Sequence, residues 1–437
     1  MSSFFDKAKD AYRKEYESNP VFTVFLTILI AFFVVFVIAA IVTGGDTFYH
    51  VLCVDHNDTF MDYFNSVMYS YDHPYTYWKV IYPPLITVFY DVIGHFTMPY
   101  ITTAVPSGTD VSFVLRDTQM GIVSFVIIML VTFYALHLIY IKVMKGTSLR
   151  KELMFFFAIL LSYPFLFALE RGNSIILALV FCFLFLLGYR SENKWIRYAS
   201  YIALGVAAGI KLYPAILWLL LIRERQYREA GICFIIVVAI IFVPFIFTDG
   251  TPLILFEKVT SYAGENLGAV NINQIVLGIF QEFLSWPSDI ASAISLAVMG
   301  TFTLLSIIVI VFDREMKYWK VVALIACNLV VGIGLGIQYQ MIYMIMPILY
   351  FLVAEKEMTK NNKFYLICFA MTLVLIPGIT TGLIISTETV TTEIFPAPLI
   401  GAVESAFVFV ISFALLHEGL KRLYRNYSAK RHDLKAP

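Results

Sequence analysis

The sequence predicts an all-α polytopic membrane protein: a bundle of about ten spans with a short helical hairpin and a first loop on the outer face. Three observations carry this reading. The 437-residue chain is 60% hydrophobic and only 14% charged, with a mean hydropathy of +0.80, whereas soluble domains are roughly half apolar and a quarter charged. Apolar runs at 21–43, 121–141 and 364–375 reach or approach the ~20 residues that cross a ~30 Å hydrocarbon core. Lys and Arg, finally, are concentrated in a few short loops, as expected of cytoplasmic segments.

Each element follows from that charge pattern. With the N-terminal segment 1–20 in the cytoplasm, the basic loops 142–151, 190–197, 223–228, 314–320 and 356–363 and the basic tail 418–437 all face inward together. Of the 31 Lys and Arg, only Lys79, Arg116, Arg171, Lys211 and Lys258 fall elsewhere. The protein is expected in the cell membrane, multi-pass, with both termini cytoplasmic. Residues 1–437 then form a single integral membrane domain, and the run at 21–43 is too long for a signal-peptide core. The segment 85–96 after Tyr82-Pro83-Pro84 cannot be a full span, because crossing there would put 142–151 outside. It is expected to lie on, or dip into, the outer leaflet. Arg197 and Arg223 are both inward yet too close in sequence for two full spans, which predicts a hairpin with Lys211-Leu212-Tyr213-Pro214 at its apex. Such irregular backbone is tolerated at membrane depth only where it is buried in protein or lines a cavity. The stretches 44–118 and 248–288 are the longest outer segments, and both are rich in aromatic residues.

Cys53, Cys182, Cys233, Cys327 and Cys368 are odd in number and mostly lie inside apolar runs, so neither a disulfide nor a metal cluster is expected. Asp55-His56 has metal-ligand character without a second histidine cluster to complete it. No cofactor and no nucleic-acid partner is expected.

Ionisable residues within the bilayer cost ~2.5–3.5 kcal/mol on insertion scales and are functional candidates by default. Lys211 at the hairpin apex either snorkels or pairs with Glu170, or holds a phosphate as a point charge in a low-dielectric pocket. The phosphate is favoured. Glu170-Arg171-Gly172-Asn173 lies between two spans, with Gly172 suited to a tight turn and Arg171 able to fork onto a phosphate. Asn273, Gln274, Gln338 and Gln340 offer neutral hydrogen-bonding groups for sugar hydroxyls, or serve as caps and interfacial residues. The first outer loop, 44–118, is the richest segment and the expected catalytic region. If Asp58 begins a helix there, Asp62 sits one turn on and both carboxylates share a face. A carboxylate beside an aromatic wall can act as a general base. Tyr63, Tyr75, Tyr77 and Trp78 suit either stacking on sugar rings or an interfacial belt.

The ordered elements Asp58-Thr59-Phe60-Met61-Asp62-Tyr63, Pro74-Tyr75, Ile81-Tyr82-Pro83-Pro84-Leu85, Arg171-Gly172-Asn173 and Gly209-Ile210-Lys211-Leu212-Tyr213-Pro214, followed by Arg223-Glu224-Arg225, resemble glycosyltransferase family 87. That family comprises GT-C fold membrane mannosyltransferases and their relatives, which use polyprenyl-phosphate sugars. The resemblance implies an inverting transfer of a hexose, mannose above all, from such a donor to a glycan or glycolipid acceptor at the outer face, among membrane lipids. An aspartate of the first outer loop, matching Asp58 or Asp62, would be the base. Lys211 and Arg171 would bind the donor phosphate, and Asn173, Tyr213, Tyr82 and Tyr75 the substrates. One departure is that Gln338-Tyr339-Gln340 stands where the family often carries a histidine. Two rivals from other classes are a transporter and a surface-polysaccharide polymerase or flippase. A transporter would show repeated halves and broken helices at the midplane, and a polymerase a large late outer loop.

Overall fold

The computed structural model describes residues 2–53, 56–78, 80–101, 110–145, 148–262, 271–332, 338–376 and 399–433. Its helices in chain order are α1 (Ser2–Ser18), α2 (Pro20–Val42), α3 (Asp46–Val51), α4 (Met61–Tyr71), α5 (Pro84–Thr97), α6 (Val111–Asp117), α7 (Gln119–Val143), α8 (Leu149–Leu160), α9 (Tyr163–Glu170) and α10 (Ile175–Gly188). They continue as α11 (Lys194–Ile210), α12 (Leu219–Arg223), α13 (Tyr227–Phe242), α14 (Pro252–Tyr262), α15 (Ile272–Leu277), α16 (Ser288–Phe312), α17 (Tyr318–Cys327), α18 (Ile345–Ala354), α19 (Lys360–Met371) and α20 (Leu399–Asp433). No strand occurs among the described residues. Asp55 and Lys79 lie outside the described residues, as does the side chain of Gln274.

Among the described residues, five helical segments are long and apolar enough to cross a membrane: Pro20–Val42, Gln119–Val143, Tyr227–Phe247, Ser288–Phe312 and Val403–Ala429. A sixth span results if α8 and α9 count as one broken helix. Less than half of each of the five is buried inside the protein, as expected of helices whose apolar surface meets lipid rather than a protein core. The runs expected at 21–43 and 121–141 become α2 and α7. The run at 364–375 is helical only as far as Met371. Helix α2 begins where Pro20 occupies the first turn and the Asn19 side chain accepts from the Phe22 amide at 3.1 Å, a cap that local sequence encodes.

Two compact units emerge. The first comprises Met1–Val51, Val143–Pro164 and Gly268–Pro437. Its basic loops gather at one end. Lys151 pairs with Glu15 at 2.5 Å, and Lys317 with Glu355 at 2.6 Å. Lys320 holds Glu418 at 2.6 Å, while Arg422 bridges Glu418 and Asp313. The five cysteines of the chain are free thiols, four of them buried.

Glu404 on α20 is fully buried, and among the described residues neither carboxyl oxygen has a hydrogen-bond partner. An unsatisfied buried polar group costs about 1–3 kcal/mol, so Glu404→Met is expected to raise the thermal midpoint in detergent. A fall in the midpoint would contradict this and reveal a partner for the carboxyl.

The second unit comprises Leu52–Lys142 and Phe165–Leu267. Here too the basic loops share an end, through Arg190 with Glu224 and Arg197 with Glu229 at 3.5 Å. Helix α11 runs from that end and stops at Lys211, whose backbone is extended at φ −140°, ψ 126°. A 3-10 turn at Tyr213–Trp218 with Pro214 inside it follows and leads into α12. At 1.5 Å per residue, α11 places Lys211 about 25 Å from the basic end, close to a full hydrocarbon thickness. Helix α5 covers the segment expected to be too short for a span. Pro83 and Pro84 start it, and its 14 residues extend only about 21 Å.

Candidate active site

The site lies in the second unit and is assembled by two backbone clasps. The Phe60 amide donates to the Glu170 carbonyl at 2.6 Å, and the Asp62 amide to the Arg171 carbonyl at 3.0 Å. The first residues of α4 are thus laid against the turn that links α9 to α10. Gly172 makes this approach possible. Its φ is +67°, and a Cβ there would sit 3.0 Å from both the Phe60 carbonyl oxygen and the Tyr63 Cβ. Phe60 itself is left-handed at φ 63°, a conformation that costs a non-glycine residue about 1–2 kcal/mol. Its ring packs on Phe125 with centroids 4.8 Å apart. Arg116 steadies the preceding loop by donating to the Asn57 carbonyl at 2.8 Å, and the Thr59 hydroxyl donates to Glu170 at 2.8 Å.

The clasps bring four expected residues together. Arg171 donates to Asp58 through one terminal nitrogen and to Asp62 Oδ1 through the other, the latter at 2.8 Å. The Asn173 amide donates to Asp62 Oδ2 at 2.7 Å, while its own oxygen accepts from the Ile175 amide at 3.0 Å at the head of α10. Each Asp62 oxygen therefore accepts one oriented hydrogen bond, and a carboxylate offers about four lone-pair sites. Asp58 and Asp62 do not share a helix, contrary to the spacing argument. Asp58 closes a 3-10 turn at His56–Asp58 and α4 starts at Met61, so Arg171 rather than helical periodicity joins them. Their environments differ, since the Asp62 side chain is 17% exposed and that of Asp58 36%. Burial pushes the Asp62 carboxyl above the ordinary carboxylate range, against the hydrogen bond from Asn173 and the charge of Lys211, which pull it down.

Lys211 reaches the site from the end of α11. It is buried, and its ammonium lies 4.2 Å from the centroid of the Tyr82 ring, a cation–π contact. Gly209 explains the proximity of the two motifs, because a Cβ there would come within 2.6 Å of Leu85, the residue after Pro83-Pro84. Tyr75 is buried and serves as a strut. Its hydroxyl donates to the Tyr82 carbonyl at 2.7 Å, its ring packs on Phe245, and its amide donates to Asp249 at 3.1 Å. Tyr213 is half-buried at the start of the 3-10 turn.

Asp249 went unnoticed in the sequence. It accepts from the Tyr75 and Thr76 amides and from the Thr76 hydroxyl. Burial works to raise its carboxyl, but these hydrogen bonds outweigh burial and hold it below the ordinary range. The signal available was an Asp-Gly pair just past a span, which reads only as a turn. The remaining candidates belong to the first unit. Asn273 is bonded to the Ser295 hydroxyl, Gln338 is buried and accepts from the Tyr163 hydroxyl at 3.0 Å, and Gln340 is buried.

The clasp yields a prediction. Gly172→Ala forces a side chain into a left-handed residue with no room for it, and a cost of about 1–3 kcal/mol is expected. A lowered thermal midpoint together with lost activity is the expected result. Unchanged stability would show that α4 does not depend on this contact.

In this all-helical protein, paired carboxylates, two cations and an amide thus lie together in the second unit. The model of glycosyltransferase family 87 matches residues 111–335, just over half of the chain. The protein belongs to that family and is an enzyme that transfers sugar. The matched stretch includes Arg171, Asn173, Lys211 and Tyr213 and begins after Asp58 and Asp62. No curated protein and no solved structure matches the chain.

Proposed function

We propose that the protein transfers a hexose, mannose foremost, from a polyprenyl-phosphate sugar to a glycan or glycolipid acceptor at the outer face, with inversion. The observation that carries this reading is the Asp62 carboxylate held by Arg171 and Asn173 within the field of Lys211. Asp62 is the general base and Asp58 its neighbour on Arg171. An acceptor hydroxyl attacks the anomeric carbon while Asp62 takes its proton. The bond from that carbon to the phosphate oxygen breaks, and its electron pair leaves on the polyprenyl phosphate. Negative charge on the phosphate grows in this step, and a buried cation such as Lys211 stabilises it. Arg171 assists, and Tyr82, Tyr213 and Asn173 line the sugar, with Tyr75 positioning Tyr82.

The orientation belongs to the same proposal. The basic loops that share one end of each unit suit the cytoplasm, which leaves Lys211 and the carboxylates at the outer face. The shorter apolar helices at Ile175–Gly188, Tyr213–Arg223, Tyr318–Gly332 and Gln338–Ala354 supply partial crossings toward a GT-C bundle of about ten spans. The test is a panel of synthetic polyprenyl-phosphate sugars offered to protein in nanodiscs, with the anomeric configuration of the product read by NMR. Donor consumption with inverted product is expected. Retained configuration, or use of a nucleotide sugar alone, would overturn the reading.

A further inference from the structure

In the first unit an open groove of about 520 Å³ runs between α2 and α8. Leu29, Ile30 and Phe33 form one wall, and Leu153, Met154 and Phe157 are among the residues of the other. Among its lining residues the one charge is Arg150, in the first turn of α8. From Arg150 to Leu161 the groove follows about 16 Å of helix axis, the depth of one leaflet of a ~30 Å core. It ends where α8 ends. The other side of the first turn of α8 faces a cavity of about 370 Å³ that contains Lys145, Lys151 and Lys356 against the single carboxylate of Glu15. Arg150 thus stands at the polar end of an apolar slot one leaflet deep, and three lysines, one of them paired with Glu15, line the neighbouring cavity.

We propose that this groove is a binding site for an anionic phospholipid. Its acyl chain lies along Leu153, Met154 and Phe157, and its phosphate meets Arg150, with Lys145, Lys151 and Lys356 adding to the field. Each cation near a membrane surface favours an anionic over a neutral headgroup by about fivefold. A zwitterionic lipid would fill the slot, but the cation of its own headgroup would offset this gain. None of its lining residues belongs to the set around Asp62 and Lys211.

The experiment is native mass spectrometry of delipidated full-length protein titrated with phosphatidylglycerol or phosphatidylcholine of identical chains. Expected is a preference for phosphatidylglycerol of about fivefold or more that falls to near parity in Arg150→Glu, an exposed position where folding is retained. Leu153→Trp, which fills the slot, should weaken both lipids, and Asp62→Asn should change neither. Equal binding of the two lipids by the parent, or an undiminished preference in Arg150→Glu, would overturn the proposal. So would displacement of phosphatidylglycerol by undecaprenyl phosphate at lower concentration, which would assign the groove to the donor lipid.

Discussion

Asp62→Asn is expected to lower sugar transfer by about 10²–10⁴-fold, the contribution of a positioned general base. The substitution keeps the shape of the side chain and its contact region with Arg171 and Asn173, so folding should survive while the proton acceptor is lost. Kinetics separate this from lost binding: kcat and kcat/KM should fall together, because the base acts only in the transition state. The parent enzyme carries a matching signature in pH. Burial raises the Asp62 carboxyl, so the acid limb of kcat/KM should lie above the ~3.9 of an ordinary aspartate, with activity rising as the group ionises. Stability runs the other way. A group with a raised folded pKa binds its proton more tightly in the folded protein, so its contribution is greatest at low pH and is lost as pH rises through the folded pKa. A rate that stays flat in pH across the acid range, or an Asn variant within tenfold of the parent, would remove Asp62 from the mechanism.

Lys211→Met should cost about 10²–10³-fold in kcat, comparable to removing one preorganised stabiliser of developing charge. The methionine fills the buried volume beside Tyr82 and isolates the loss of charge from a loss of packing. Lys211→Arg should recover part of the activity, since charge is kept while the point geometry of the ammonium is not. The parent ammonium also favours ionised Asp62, so its removal should move the acid limb to higher pH. A normal kcat with only a weakened KM would mean that Lys211 binds ground state and transition state alike.

Much of this architecture was legible because lipid imposes strong rules. A long apolar run must become a helix, and α2 and α7 arose within a few residues of where hydropathy placed them. The break in the helix at Lys211 fell where the spacing of Arg197 and Arg223 left too few residues for two full spans. What stayed illegible depended on contacts distant in sequence. Nothing local says that Asp62 meets Arg171, more than a hundred residues away, or that Gly172 must lack a Cβ for the Phe60 carbonyl to approach. The helical-face argument for Asp58 and Asp62 failed because the left-handed Phe60 delays the start of α4. Tyr75, expected on a sugar, is a buried strut whose partner Asp249 lies at the far end of a span. The side chains of Gln338 and Asn273 were ambiguous for a different reason, because an amide that touches sugar and one that ties two helices look alike in sequence.

The mechanism turns on which carboxylate takes the proton, and parallel single-turnover transfer by Asp58→Asn and Asp62→Asn, in nanodiscs with saturating donor, decides it most directly. The geometry predicts that Asp62→Asn loses at least about 10²-fold and Asp58→Asn, half-exposed and joined to the site through Arg171, loses less than about tenfold. The reverse order, or two variants as active as the parent, would contradict it.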